Sequence, residues 1–302
     1  MMTKTVKGRA DDAFASVLNR KRKESQLVAV LRRLSKNKMA MLGLFIFLIE
    51  VLLAISAQWI MPYDYAQINP REMLQTPSLA HLMGTDDMGR DIFSRLLYGA
   101  RYSLGIGIVS LALGAWLGII IGAIAGYAGG WVDNLIMRCL DIIQAIPGML
   151  LMIAIAAVLG NGFFNTCVAL AVGGIPGTAR LLRASILNIR NMEYLEAAES
   201  INCSKFRLIA GHILPNAFSP LIVSFAMGVA NSVVSAASLS FIGLGIQPPT
   251  PEWGAMLSAG RAYIRDYPHL VMFPGIAIMI TVLALNLLGD GLRDALDPKL
   301  KD

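Results

Sequence analysis

The chain has 302 residues, of which 56% are hydrophobic and only 15% are charged. A soluble domain carries about 25% charged residues. Several apolar runs here reach the roughly 20 residues that a helix needs to cross a bilayer. The composition therefore excludes a water-soluble protein and predicts an all-α membrane protein. The net charge is +6. The basic residues before the first apolar run lack the interleaved aromatic pattern of a nucleic-acid-binding surface, and they favour a cytoplasmic membrane flank instead.

Six membrane spans are predicted along the chain. The first stays as an anchor, because it is too long and begins too far into the chain for a cleaved signal peptide. A basic N-terminus in the cytoplasm and six crossings place the C-terminus on the same side, and the loop 62–100, which is richer in acidic residues, on the other. The predicted spans are 39–61, 103–127, 134–159, 165–186, 218–244 and 270–289.

Four glycines recur at every fourth position of the second span. A spacing of four places Gly114, Gly118, Gly122 and Gly126 on one helix face. Because glycine has no side chain, the backbone of another helix can approach that face closely. We therefore predict a tight helix–helix seam, and the sequence leaves open whether the second helix belongs to this chain.

The fifth span carries a stripe of small and polar residues. Steps of four, three, four and three keep its members on one helix face. The stripe is typical either of a wall of a hydrated pathway or of small-residue packing with local hydrogen bonds. The pathway interpretation makes Asn231, Ser235 and Ser238 candidate lining residues. The full stripe is Ser224, Gly228, Asn231, Ser235 and Ser238.

A few polar or helix-breaking residues interrupt the apolar spans. Glu50 lies near the middle of the first span, where a charge is costly, and is expected to be protonated, paired or turned towards protein. Arg138 and Asp141, three residues apart, are predicted to form an ion pair. Pro147 and Pro176 predict kinks in the third and fourth spans.

The sequence contains none of the common catalytic motifs. It has no Gly-Lys pair, and hence no phosphate-binding loop, and neither a GxSxG nor an HExxH motif. Three cysteines without CxxC spacing indicate no disulfide framework or zinc site, and Asp86, Asp87 and Asp91 are interleaved with Arg90 and Arg95, which favours local ion pairs over a calcium site. No cofactor or metal is expected, so energy for any transport must come from another chain or from an ion gradient.

A polar, helical segment at 196–215 separates the fourth and fifth spans. Its Glu-Ala-Ala triplet favours a helix with a small, dockable surface. An asparagine that tolerates a left-handed turn ends this helix, and a Leu-Pro pair ends the next. The orientation of the spans places this helix–turn–helix in the cytoplasm. Its motif residues are Glu196, Ala197, Ala198, Asn202, Leu214 and Pro215.

This segment resembles the EAA loop of the permease subunits of ABC importers, with Asn202 at a position where the motif usually has glycine. Three further segments, 84–101, 247–257 and 286–298, are similar to the dipeptide, oligopeptide and nickel permease group. The resemblance as a whole extends over most of the chain from Met39 onward. The chain looks like a C-type subunit, close to the dipeptide and glutathione permeases.

The resemblance implies a type I ABC importer fold with six transmembrane helices in a bacterial inner membrane. It implies a second permease subunit, two ATP-binding subunits on the cytoplasmic side, and a periplasmic or lipid-anchored substrate-binding protein, with no catalysis by this chain itself. The coupling residues to the ATPases would be the motif residues above. The implied regions are a basic N-terminus (1–38), an anchoring span and periplasmic segment (39–100), a transmembrane core (101–290, with the coupling loop at about 188–216) and a tail (291–302).

Three substrate and energy alternatives stay open at this point. The resemblance implies import of dipeptides, oligopeptides or glutathione, or alternatively of nickel or another metal chelate. A different class, a proton-coupled secondary transporter with Glu50 or Asp141 as the proton relay, would work without any ATPase.

Overall fold

The computed structural model describes residues 26–190, 192, 203, 207, 211, 213 and 217–296. Its two continuous stretches form nine α-helices, two short 3-10 turns (Pro70–Glu72 and Arg261–Tyr263) and one isolated β-bridge. The helices are α1 (Gln26–Lys36), α2 (Lys38–Ile60), α3 (Ile92–Ala128), α4 (Gly130–Ala145), α5 (Gly148–Leu159), α6 (Phe163–Arg190), α7 (Ser219–Phe241), α8 (Trp253–Gly260) and α9 (His269–Leu296).

Most of the long helices suit a bilayer. Within the described stretches, α2, α3, α7 and α9 are long and apolar enough to cross a membrane, and α4 with α5 makes a fifth crossing if the bent pair is counted as one span. Helix α6 has 28 residues, about 42 Å at 1.5 Å per residue, and is apolar only before Arg180. The all-α membrane fold is confirmed, and the third predicted span consists of two helices.

Helix α2 packs against α9 along small residues. Asn37 caps the start of α2 by accepting hydrogen bonds from the backbone N–H groups of Met39 and Ala40, both at 3.1 Å. A side chain at Gly43 would collide with the backbone of α9, and one at Gly291 would collide with α2. We call the end of the bundle where α2 begins and α9 finishes the tail end, and the opposite end the cap end.

The glycine stripe of α3 packs against α6 of the same chain. A Cβ atom at Gly114 would lie 2.8 Å from the carbonyl oxygen of Ala171, and one at Gly118 would lie 2.7 Å from Cβ of Thr178. Gly122 meets the backbone of Ala179 in the same way. The predicted seam is therefore confirmed, and the second helix that the sequence left open is α6.

The cap end is closed by residues 61–91 and by the loop before α8. Asp86 forms the ion pairs predicted from sequence, with Arg90 at 2.7 Å and with Arg95 at 3.4 Å. The buried Arg95 also donates hydrogen bonds to the carbonyl oxygens of Tyr65 and Pro249, at 2.8 and 3.3 Å. One guanidinium thus joins α3 to both loops.

A buried carboxylate, Glu252, forms a second junction at the cap end. It is 1% exposed. It accepts a hydrogen bond from the hydroxyl of Ser103 on α3 at 3.1 Å, and it caps α8 by accepting one from the N–H of Ala255 at 2.9 Å. Burial raises the pKa of Glu252, because removal from water disfavours the charged carboxylate.

Candidate functional site

The chain breaks sharply between α4 and α5. The two helices meet at 86°, and the residues between them, Ile146 and Pro147, have extended ψ angles of 128°. Proline has no N–H to continue α4, and it biases the residue before it away from the helical region. The sequence therefore causes the break locally, as the position of Pro147 predicted, although the size of the bend was not predicted.

The break is exposed on the surface of the chain. Residues 144–150 are all exposed, and the start of α5 has no side-chain cap. Met152, one turn into α5, contacts Gly173 near the middle of α6, so the break lies well inside the length of the bundle. Non-helical backbone at membrane depth is stable only where protein covers it or water reaches it, and this surface must therefore face another chain or an aqueous path.

A groove beside the break connects it to α7. Its volume is about 340 Å³, and its walls come from α5, α7, α8 and α9. Ser238 lies in the wall, where its hydroxyl donates to the carbonyl oxygen of Val234 at 2.8 Å. The other lining residues are apolar: Met149, Val234, Ala237, Phe241, Ile242, Leu257 and Ile278.

The polar stripe of α7 is divided between packing and exposure. Gly228 packs on Leu111 of α3, as the packing interpretation requires. Asn231 is exposed and Ser235 is half-buried, while Ser238 reaches the groove. Of the three residues singled out as pathway candidates, only Ser238 lines the groove beside the break.

Two ion pairs join α4 to α6 on the tail side of the break. The guanidinium of Arg183 donates two hydrogen bonds of 2.5 Å to the carboxylate of Asp133, which is nearly buried. Arg180 makes a single 2.5 Å contact with Asp141. The predicted pairing of Asp141 with Arg138 is wrong, because the guanidinium of Arg180 reaches the Asp141 carboxylate across the α4–α6 interface. Arg138 lies exposed on α4.

The predicted coupling residues lie outside the described residues: Glu196, Ala197, Ala198, Asn202, Leu214 and Pro215. The structure does describe where that segment leaves and returns. Ile186 and Ile189 at the end of α6 pack with Ile213, Ala217 and Leu221 in one buried cluster at the tail end. The described residues on either side of the segment therefore pack against each other at the ends of α6 and α7.

Glu50 contacts α9 rather than the groove. Its Oε1 accepts a hydrogen bond from the hydroxyl of Thr281 at 3.0 Å, and its Oε2 is buried without a partner among the described residues. The expectation that this carboxyl turns towards protein is confirmed. Its place on the anchor helix separates it from the α5–α7 groove.

Comparison with known proteins places this architecture in a family. The family model described as "binding-protein-dependent transport system inner membrane component" matches residues 118–302. The chain belongs to this family. The N-terminal transmembrane domain of oligopeptide transport permease C also matches, over residues 25–77. Members are multi-pass inner-membrane permease subunits of ABC importers, and they work with substrate-binding proteins. They are not themselves enzymes, because ATP hydrolysis takes place on separate subunits.

Curated relatives match this permease over most of its length. A glutathione transport system permease protein of Escherichia coli O6:K15:H31 is 49% identical over 271 residues, 89% of each chain. The corresponding protein of Pectobacterium atrosepticum is 48% identical over 86% of each chain. A dipeptide transport system permease protein of Alkalihalophilus pseudofirmus is 46% identical over 89% of each chain.

Solved structures share the fold at low sequence identity. A methionine ABC transporter in an inward-facing conformation has a TM-score of 0.56 at 18% identity, covering 68% of this chain and 98% of the other. An amino acid ABC transporter crystallised with histidines has a TM-score of 0.52 at 15% identity, covering 67% of this chain and 94% of the other. These likenesses concern the fold of the permease core.

Sequence reasoning placed the corner at Pro147 but missed its 86° angle, and it missed the contact between Asp141 and Arg180. The ion pair joins residues 39 positions apart, and no local pattern in one sequence indicates such a contact.

Proposed function

We propose that this permease forms one half of a pathway that imports small peptides of the dipeptide or glutathione type. The observation that carries the proposal is the exposed break at Ile146–Pro147 beside the groove that reaches Ser238 of α7. Such a surface requires a water-filled path or another protein in the membrane. Relatives that serve glutathione and dipeptides, at 46–49% identity, support the substrate class over the alternative, a nickel or metal chelate.

A second, different permease subunit covers the exposed face in this proposal. The groove, the break and the apolar residues beside them have no cover within the described part of the chain. Ile142 and Leu150, for example, are 70% and 58% exposed. A second permease of the same fold would enclose the path between the two chains, with one ATPase below each and the substrate-binding protein at the cap end.

The orientation follows from charge and geometry. Helix α2 begins and α9 ends at the tail end, where α1, which carries Arg32, Arg33 and Lys36, also packs. Lys and Arg favour the cytoplasmic side of a membrane, so the tail end and both termini are cytoplasmic. The cap end, with residues 61–91, then faces the periplasm.

Coupling to ATP hydrolysis runs through the segment after α6. Glu196, Ala197 and Ala198, with the turn at Asn202, fit a cleft on the ATPase, and closure of the ATPases moves the segment. The packing of Ile213, Ala217 and Leu221 on the end of α6 supports a rigid path from there to the groove. Coupling of this kind requires a two-state element that both sites bias.

Uptake by cells tests the substrate class. Cells lacking the gene for this chain are compared with cells that carry it on a plasmid, using labelled dipeptide, labelled glutathione and a labelled nickel chelate. The proposal expects the plasmid to restore uptake of dipeptide, of glutathione or of both. Restoration of nickel chelate uptake alone would replace the proposal with its alternative.

A further inference from the structure

The two ion pairs between α4 and α6 differ in their exposure and in the number of hydrogen bonds that join them. In the Asp133–Arg183 pair the carboxylate keeps 10% of its side-chain exposure, and the contact is bidentate. In the Asp141–Arg180 pair the two side chains keep 49% and 39% of theirs, and one contact joins them. The first pair is built as a structural link, whereas the second presents both charges to the surroundings.

The exposed pair lies within the bundle rather than at its edge. Ala179, next to Arg180, packs on Gly122 of α3, which is six residues, or about 9 Å, before that helix ends. Asp141 is five residues before Ile146, at the break. Charges exposed to hydrocarbon are costly, and those within membrane segments normally face a bundle interior or a water-filled cavity. The surroundings of this pair are therefore aqueous or proteinaceous, as at the adjoining break.

We propose that Asp141 and Arg180 line the pathway and contact the charged ends of a peptide as it passes, Asp141 the ammonium group and Arg180 the carboxylate. A free peptide carries these two opposite charges. Exchanging the Asp–Arg contact for two contacts with the peptide keeps every charge compensated by a charge-assisted hydrogen bond. The exposed Arg138, one turn before Asp141, adds positive charge on the same helix. This inference rests on the proposed peptide transport.

Cysteine accessibility tests the location of the pair. Asp141→Cys and, as the matched control, Asp133→Cys are placed in a chain whose Cys139, Cys167 and Cys203 are replaced by serine or alanine. The importer assembly is purified through this chain. A charged, water-soluble thiol reagent is expected to modify position 141 and not position 133, and cycling with ATP, binding protein and a dipeptide is expected to slow modification at 141.

Two results would overturn the location. Position 141 could be modified in the isolated chain but not in the assembly, in which case the second permease covers it. Alternatively, modification could proceed at the same rate with and without peptide, in which case no substrate reaches it.

Uptake kinetics test the contact itself. Asp141→Asn, Arg180→Gln and the double variant are expected to lower the maximal rate of dipeptide uptake about tenfold, the loss expected for one charge-assisted hydrogen bond. The half-saturating concentration should stay unchanged, because the binding protein sets it. Membrane levels of the chain and copurification of ATPase subunits serve as controls for folding. Wild-type rates in all three variants would overturn the inference, whereas an unmodified chain that restores no peptide uptake would instead overturn the proposed function.

Discussion

At the scale of single residues, the half-buried Glu50 and the buried Glu252 each connect two helices, and neither lines the groove. Glu50 joins the anchor helix α2 to α9 through Thr281, and Glu252 joins α3 to α8 at the cap end. Neither carboxyl has a basic partner among the described residues. Their hydrogen bonds link neighbouring helices, which indicates a structural role for both carboxyl groups.

Glu50→Gln is expected to leave uptake at the wild-type level. The amide oxygen can still accept the hydrogen bond from Thr281, and an amide cannot carry protons across a membrane. Glu50→Leu removes a hydrogen bond worth about 1 kcal/mol and should lower only the amount of folded chain, measured by its level in membranes. Loss of uptake in Glu50→Gln at a normal membrane level would support the proton-relay alternative.

Glu252 predicts a pH dependence of stability. Its pKa is raised above 4.5 in the folded chain, so the folded state binds a proton at a higher pH than the unfolded state does. The stabilising contribution is complete below pH 4.5 and is lost as the pH rises through the raised pKa. The melting temperature of the purified assembly should therefore fall less steeply with rising pH in Glu252→Gln than in the wild type. Parallel curves for the two proteins would contradict this assignment.

At the scale of elements, the α3–α6 seam is a close helix–helix contact that the sequence predicted. The spacing of four is a local property, and glycine on one helix face has few structural uses other than close approach. The bend between α4 and α5 was only partly predictable. Pro147 marked the position of the bend. The angle was not predictable, because a straight span and a broken span have the same apolar composition. The partner of Asp141 depended on tertiary contact, and local spacing pointed to the wrong arginine.

Gly122→Ala is expected to destabilise the chain by about 1–3 kcal/mol, the usual cost of overpacking, because the new methyl group would collide with the backbone of Ala179. Gly177→Ala is the matched control, since a Cβ atom there meets nothing within 4 Å and alanine favours a helix. Thermal denaturation of the two variants in detergent measures the difference. Equal melting temperatures would contradict the tight seam.

At the scale of the whole molecule, the described helices form a bundle, and the described residues on either side of the predicted coupling segment lie at its tail end. The buried cluster of Ile186, Ile189, Ile213 and Leu221 ties that segment to the two helices that continue towards the break and the groove. The motif at 196–215 could be recognised from sequence because it is short and local. Its contact with an ATPase depends on another chain, and the residues of the motif lie outside the described part of this one.

Ala197→Arg is expected to uncouple ATP hydrolysis from uptake while the subunit still inserts, because a bulky cation cannot enter a cleft that fits alanine. The measurement compares peptide uptake and ATP hydrolysis in membranes with equal amounts of the chain. Normal uptake at normal expression would contradict the coupling role of this residue.

The central claim is that this chain moves peptides with energy from separate ATPases. Proteoliposomes containing the assembly purified through this chain, with the binding protein and labelled dipeptide or glutathione on the cap side, test it most directly. We predict that labelled peptide crosses the proteoliposome membrane only when ATP is present on the tail side, and that it does so without any ion gradient. Movement driven by a proton gradient in the absence of ATP would contradict it.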